Sequence, residues 1–229
     1  MTLRSVAIAV FVKTPGFSPI KTRLAAEIGE AMAEEFYRLS VAAVAATLTA
    51  TAQATGATPY WAVAEKAALE DSLWQQFARI SQGVGGLGER LHHVCDRLFS
   101  NHPAVIAIGA DSPQLIPPLL QSAISLLLEN GCNAKHVLGR SHDGGFYLAG
   151  SNVPVSRQVW TSLTYSVRST AEDLAKQLNQ TGKIEELPRL TDVDELQDLL
   201  VVGKQMRTLS HLSPEQWSLV QWIEASVCR

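Results

Sequence analysis

Three cations fall within eleven positions of the segment Lys13-Thr-Pro-Gly-Phe-Ser-Pro-Ile-Lys21-Thr-Arg23. Together they can neutralise a di- or triphosphate while the amides around Gly16 approach its oxygens. Aspartates further along the chain would complete such chemistry. Asp111 stands where the apolar run Ala104-Val-Ile-Ala-Ile-Gly109 meets Ser112-Pro113. A carboxylate facing phosphates suits a hard divalent cation, Mg2+ or Mn2+, which needs only one or two carboxylates beside phosphate oxygens. Asp192 and Asp194 flank Val193, and in an extended chain they share a face while the valine points away. Asp192 has the better claim as a metal ligand, because Asp194 also suits the cap of the helix that follows. Asp143 precedes Gly144-Gly145, a pattern that serves either a tight turn or close approach of a substrate to the backbone. The neighbouring His142 is a weaker acid–base candidate, and His92 and His93 read as ordinary helix residues.

Gly83-Val-Gly85-Gly86-Leu-Gly88 satisfies the G-x-G-x-x-G spacing of a dinucleotide site. That fingerprint belongs on the leading strand of such a fold, and here the leading apolar run is Ser5 to Val12. The glycines are better read as letting the backbone pass close to a nucleotide base or ribose, or as a plain turn.

Positioning these residues requires an alternating fold. The run Ser5 to Val12 reads as a buried strand that Pro15, Gly16 and Pro19 terminate. The spacing predicts a long helix over 27–51, a strand over 58–63, a helix over 65–76, then a weak segment over 77–81 and a helix over 89–99. Strand 104–109, helix 119–129, strands 136–139 and 145–149, helix 170–180, strand 183–187 and helix 194–208 follow. Ser213-Pro-Glu-Gln216 then opens a last helix with a capping-box pattern. Alternation of this kind predicts an α/β protein with three layers and a mostly parallel sheet. In such sheets ligands sit at the carboxyl ends of the strands, where the basic loop and Asp111 fall.

The 229 residues fit one domain, expected over 1–208, with 209–229 a helical extension packed on it. A net charge of −3 argues against a nucleic-acid binder. No apolar stretch is long enough to span a bilayer, and the start of the chain lacks a signal-peptide core, so a cytoplasmic protein is expected. Cys95, Cys132 and Cys228 are too scattered for a redox or zinc motif and read as reduced thiols.

Taken in order, KTPGFSPIKTRL, QGVGGLGERL, IGADSPQL, SHDGGFYLAG and LTDVDELQDL resemble the motif blocks of a bacterial family of GT-A-type transferases. These are the radical-SAM/selenodomain-associated transferases, some relatives of which are named as arsenosugar-biosynthesis glycosyltransferases. The resemblance implies the nucleotide-diphospho-sugar transferase fold, with a nucleotide over the first half of the sheet and a small-molecule acceptor over the second. It implies that Lys13, Lys21 and Arg23 grip the nucleotide phosphates, and that Gln82, Gly83, Gly88 and Arg90 form the base-side segment, with Ser112 counted among the nucleotide-binding residues. Asp111 matches a metal-binding, catalytic aspartate, Asp143 an acceptor-side loop that takes part in catalysis, and Asp192 or Asp194 the later metal ligand. Gly86 stands where the family often has an acidic residue, and the chain beyond about Leu209 lies outside the resemblance. The expected activity is metal-dependent glycosyl transfer from a nucleotide-sugar. Nucleotidylyl transfer from a nucleoside triphosphate is the alternative, because the basic loop is also similar to that of guanylyltransferases acting on phosphorylated small acids. A non-catalytic nucleotide-binding protein is the further alternative.

Overall fold

Alternation of apolar side chains over Val6 to Val12 sends Val6, Ile8, Val10 and Val12 to one core and Ala7, Ala9 and Phe11 to another, as a central strand buried on both faces requires. The computed structural model describes residues 5–129 and 133–227; Cys132, Cys228 and the first four residues lie outside this range. In it this segment is β1 (Ala7–Val12). It is followed by α1 (Thr22–Ile28), α2 (Glu30–Thr55), β2 (Thr58–Val63), β3 (Ala78–Ser81), α3 (Leu87–Phe99), β4 (Val105–Gly109) and α4 (Pro117–Leu128). The second half holds β5 (Lys135–Ser141), β6 (Phe146–Ser151), α5 (Arg157–Thr161), α6 (Thr170–Leu178), β7 (Lys183–Leu190), α7 (Leu196–Arg207) and α8 (Pro214–Ser226).

The strands form one sheet in the order β3-β2-β1-β4-β6-β5-β7. β6 runs antiparallel to both neighbours and the remaining pairs are parallel. Helices cover both faces, giving the expected three-layer, mostly parallel α/β architecture. Helices α2 and α4 close one core, and α3, α5 and α6 close the other. A third cluster joins Leu24 of α1 and Phe36 of α2 to Leu199, Val202 and Met206 of α7 and to Leu219, Val220 and Ile223 of α8. Gln216 fastens α8 to the loop after β4 by donating to the Pro113 and Leu115 carbonyls at 2.9 and 3.0 Å.

Several boundaries differ from expectation for local reasons. The single helix over 27–51 is two helices, because Gly29 at φ 89° ends α1 and starts α2 on a new axis. The helix over 65–76 is replaced by two short 3-10 turns, Lys66–Ala68 and Ser72–Trp74. There the Asp71 side chain accepts from the Leu73 amide and competes with helical bonding. Trp74, fully buried, fixes the second turn. Helix α5 was not expected; its signal was Ser156, which caps the Val159 amide.

Antiparallel β6 follows from its connection, since only a short hairpin links β5 to it and parallel strands need a long crossover. The hairpin turn holds Gly144 at φ 97°, and a Cβ there would lie 2.1 Å from the Arg168 carbonyl oxygen. The close approach at this glycine is therefore by the protein's own 166–168 segment, not by a substrate. Gly144→Ala is expected to cost roughly 2–4 kcal/mol in urea unfolding, combining left-handed strain with overpacking. Gly145→Ala, whose new methyl would meet nothing closer than the Asp143 carboxylate at 3.3 Å, is expected to cost less than about 1 kcal/mol. Equal losses at both positions would contradict this account.

Candidate functional site

The carboxyl ends of β1 and β4 open into a cavity of about 730 Å³. One side is built from the loop after β1 and from the segment entering α3, which contribute Lys13, Lys21, Arg23, Gln82 and Arg90. The other side comes from the β5–β6 hairpin and the segment before α6, with Asp143, Phe146, Tyr147 and Tyr165. Asp111, Asp192 and Asp194 lie between.

The basic loop is held by residues that no local pattern signals. The Lys13 amide donates to the Tyr37 hydroxyl at 2.9 Å, and that hydroxyl donates back to the Lys13 carbonyl at 2.8 Å. Burial, then the charge of Asp111, push the Tyr37 phenol well above its ordinary range, so it stays protonated and able to donate. The Thr14 amide donates to Glu65 at 2.9 Å, and the Trp74 indole donates to the Thr14 hydroxyl at 3.0 Å. Tyr37, Glu65 and Trp74 come from three other elements, so their convergence on residues 13 and 14 is a tertiary fact.

Lys21 does not stand free toward a phosphate. It occupies the left-handed region at φ 44°, an uncommon conformation for a residue with a side chain. From there its ammonium reaches Asp111 at 2.9 Å, Asp194 at 3.6 Å and the Val193 carbonyl, to which it donates, at 2.5 Å. The Lys21 side chain is 6% exposed. Burial alone would lower its pKa, but Asp111, as charge and hydrogen-bond acceptor, with Asp194 and Asp192 behind it, outweighs burial and holds the pKa above the usual lysine range. Arg23 pairs with the outer oxygen of Asp194 at 3.2 Å, in the open.

The two later aspartates differ in kind. Asp192 accepts from the Ser112 hydroxyl and, at 2.7 Å, from the Ser141 hydroxyl. Burial, reinforced by Asp111, raises its pKa to about 6, against the lowering effect of Ser112, Ser141 and Lys21. Asp194 is half-exposed and does not cap α7. That role falls to Glu195, and Asp198 accepts from the Asp194 and Glu195 amides at 3.0 Å each. Val193 is buried between them, its amide donating to the Asp111 carbonyl at 3.0 Å, which pins this segment to the end of β4.

Among the described residues no three carboxylate, histidine or cysteine side chains gather at metal-ligand spacing. The donors around the Lys21 ammonium are nevertheless oxygens: two carboxylates and a carbonyl. Mg2+ and Mn2+ take such hard donors and complete their shell with phosphate oxygens and water. The residues therefore fit a divalent cation, and it is Asp111 with Asp194 that share one cationic point, whereas the oxygens of Asp192 accept from two serines.

In the glycine segment, Gln82 donates to the Val12 and Ala62 carbonyls at 3.1 and 2.8 Å and accepts from Arg90 at 3.4 Å. Arg90 also donates to the Gly85 carbonyl at 3.0 Å. Gln82 thus ties two strand ends together and orients Arg90 on the cavity wall. Gly83, Gly88 and Ser112 do not line the cavity. Gly83 packs on the His93 ring, with 3.1 Å left for a Cβ, and at Gly88 a Cβ would lie 2.4 Å from the Trp160 carbonyl oxygen. Ser112 faces Asp192 instead. The sequence motif placed these three among nucleotide contacts; the fold uses the two glycines for packing and the serine to hold a carboxylate. Asp143 does line the cavity, and its carboxylate accepts from the Gly145 amide at 2.9 Å. Buried Cys95 is consistent with a packing thiol, burial pushing its pKa up to about 12.

A phosphate-sized basic wall facing carboxylates at the strand ends of this sheet defines the molecule as an α/β protein of the nucleotide-diphospho-sugar transferase fold. A crystal structure of a provisionally assigned nucleotide-diphospho-sugar transferase from Desulfovibrio desulfuricans G20 superposes with a TM-score of 0.84 at 22% identity, covering 99% of this chain and 98% of that one. A 4-diphosphocytidyl-2C-methyl-D-erythritol synthase from Anaerococcus prevotii DSM 20548 gives a TM-score of 0.53 at 9% identity over 89% and 99% of the two chains. A cytidylyltransferase from Leptospira borgpetersenii serovar Hardjo-bovis gives 0.52 at 11% identity over 97% and 95%. The chain belongs to the family described as "Uncharacterized protein conserved in bacteria (DUF2064)", whose model matches residues 45–167. No curated protein matches it by sequence. Among the described residues no helix is long and apolar enough to cross a membrane.

Proposed function

We propose that this protein is a metal-dependent transferase that takes a nucleotide-diphospho-sugar as donor and passes the sugar to a small acceptor. The single observation carrying this reading is the oxygen cage of Asp111, Asp194 and the Val193 carbonyl on one cation, set against a wall bearing Lys13, Arg23 and Arg90. Such an arrangement suits a diphosphate whose negative charge grows as the bond to the sugar breaks. A bound Mg2+ or Mn2+ would offset that charge on the leaving nucleoside diphosphate. Asp111 and Asp194 would hold the ion, with Asp192 behind them. Lys13, Arg23 and a Lys21 released from its aspartates would take the phosphate oxygens. Asp143, across the cavity, would orient an acceptor hydroxyl and receive its proton as the new bond to the sugar forms.

Transfer of a nucleotidyl group is the second reading. Three cations in the first loop are enough for a triphosphate, and of the proteins with which the fold is shared one is a cytidylyltransferase by name and another a 4-diphosphocytidyl-2C-methyl-D-erythritol synthase. Calorimetric titration with nucleoside triphosphates and with nucleotide-sugars, each with and without Mn2+, distinguishes the readings by preferred ligand. Asp111→Ala is expected to lose the Mn2+-dependent part of nucleotide affinity, a weakening of about ten-fold or more. Nucleotide and Mn2+ binding unchanged in Asp111→Ala would remove the basis of the proposal.

A further inference from the structure

The two walls of the cavity differ in charge. Every lysine or arginine that lines it among the described residues comes from the loop after β1 and the start of α1, as Lys13, Lys21 and Arg23 do, or from the first turn of α3, as Arg90 does. The wall formed by the hairpin, β6 and the segment before α6 carries one charged group, the Asp143 carboxylate. Arg140 and Arg168, the cations nearest to that wall in sequence, do not line the cavity: Arg140 is paired with Glu186, to which it donates at 2.7 and 2.8 Å, and Arg168 is exposed.

Three of the four hydroxyls on this wall are also committed within the protein, and only that of the exposed Ser166 is left to turn toward a ligand. The Tyr147 hydroxyl donates to the Pro188 carbonyl at 2.8 Å, and the Tyr165 hydroxyl donates to the Trp160 carbonyl at 2.8 Å. Burial raises both phenols above their ordinary range, so neither gives up its proton. The Thr170 hydroxyl faces the Thr164 and Val167 carbonyls at 2.9 and 2.8 Å. The start of α6 is no substitute for a cation. Its Thr170 and Ala171 amides donate to the Val167 and Gly144 carbonyls at 3.1 and 2.9 Å, and Glu172 and Asp173 already stand in its first turn. What the wall offers is ring surface: Phe146 and Tyr165 join Phe11 and Leu91 in one apolar cluster beneath it.

We propose that the acceptor half of this cavity binds an uncharged, hydroxyl-bearing molecule with an apolar face, such as a neutral sugar or glycoside ring laid against Phe146 and Tyr165, and excludes phosphorylated acceptors. This rests on the transferase reading above and deepens it. A phosphate monoester here would be desolvated without a cation and set beside Asp143, and both effects oppose binding. A neutral ring loses little on leaving water, gains contact with the aromatic faces, and presents a hydroxyl that donates to Asp143. Selection against a phosphorylated acceptor separates glycosyl transfer from nucleotidylyl transfer onto a phosphorylated small molecule.

The test uses the full-length protein and a matched pair of probes, phenyl β-glucoside and its 6-phosphate. Each is titrated into protein saturated with Mn2+ and whichever of UDP, GDP, ADP or CDP binds, and again into protein alone. The neutral glucoside is expected to bind about ten-fold tighter than its phosphate, a difference typical of one unfavourable charge contact at the edge of a cavity. Tyr165→Ala is expected to weaken the glucoside about five-fold while nucleotide affinity stays unchanged, as loss of a stacking face predicts. Asp143→Lys, a change at an exposed position, is expected to reverse the preference in favour of the phosphate. A 6-phosphate that binds as tightly as the glucoside, or a glucoside that fails to bind, overturns the proposal. Absence of binding by all four nucleotides overturns the transferase reading instead, and the arm without nucleotide still reports on the acceptor wall.

Discussion

Replacing Lys21 with methionine is expected to destabilise the metal-free protein by about 2–3 kcal/mol at neutral pH, and added Mn2+ is expected to recover much of that loss. The ammonium is nearly enclosed and serves two carboxylates and a carbonyl. Removing it leaves Asp111, Asp194 and the more deeply set Asp192 facing one another across the cavity floor. The full cost of breaking a buried pair is about 3–5 kcal/mol. It is discounted here because Asp111 and Asp194 are 40% and 51% exposed and solvent screens them. Methionine keeps most of the apolar stem, so the loss reports on charge more than on packing. The same oxygens, once freed, form a better site for a divalent cation, so Mn2+ should raise the midpoint of unfolding more in Lys21→Met than in the wild type. Urea unfolding in EDTA and in Mn2+ reads both effects. A variant as stable as the wild type in EDTA, with no larger response to Mn2+, would mean that Lys21 does not hold the place of a cation.

The second large effect is at Asp192 and has the opposite sign. Its pKa in the folded protein, about 6, lies above the value near 3.9 of a free aspartate, so the folded state binds more protons than the unfolded chain between these values. Stability contributed by this group therefore falls as pH rises through that window, and the cost is fully present above pH 6. Asp192→Asn is expected to remove the cost, stabilising the metal-free protein by about 2 kcal/mol at pH 8 and by clearly less at pH 5. An asparagine can still accept from one serine and donate to the other, so the contacts with Ser112 and Ser141 survive. Under the proposed function the same substitution removes negative charge from behind the metal and lowers turnover. Unfolding in EDTA at the two pH values, with wild type and variant side by side, checks the prediction. An equal difference at both pH values would assign any gain to packing and not to a strained carboxylate.

The alternation of apolar runs with helical spacing was enough to read an α/β fold, because strand and helix periods are local properties of the chain. The basic loop, Asp111, the hairpin with Asp143 and the Asp192-Val-Asp194 segment were legible for the same reason: each is a short motif at the end of a strand, where the sheet places ligands. Boundaries failed where a single residue changed the local balance, as Gly29 divided one expected helix and Asp71 replaced another by 3-10 turns. What Gly83, Gly88 and Ser112 face was not legible, because a motif records residue types without recording what lies opposite them. A glycine spared for a nucleotide and one spared for His93 or for the Trp160 carbonyl look the same in sequence.

The sequence by itself determined which residues could do chemistry and at which end of the sheet they would stand, since period, turn residues and charge are all encoded within a few positions. Only the tertiary structure decided how those residues divide the work. Lys21 meets Asp111 and Asp194 across separations of 90 and 173 positions. Tyr37 and Glu65 clamp the loop at Lys13 and Thr14 from other elements, and the cavity's second wall turns out to be aromatic and, among the described residues, without a lining lysine or arginine. Pairings of this kind depend on the mutual placement of whole elements, which packing fixes and no local pattern in the chain records.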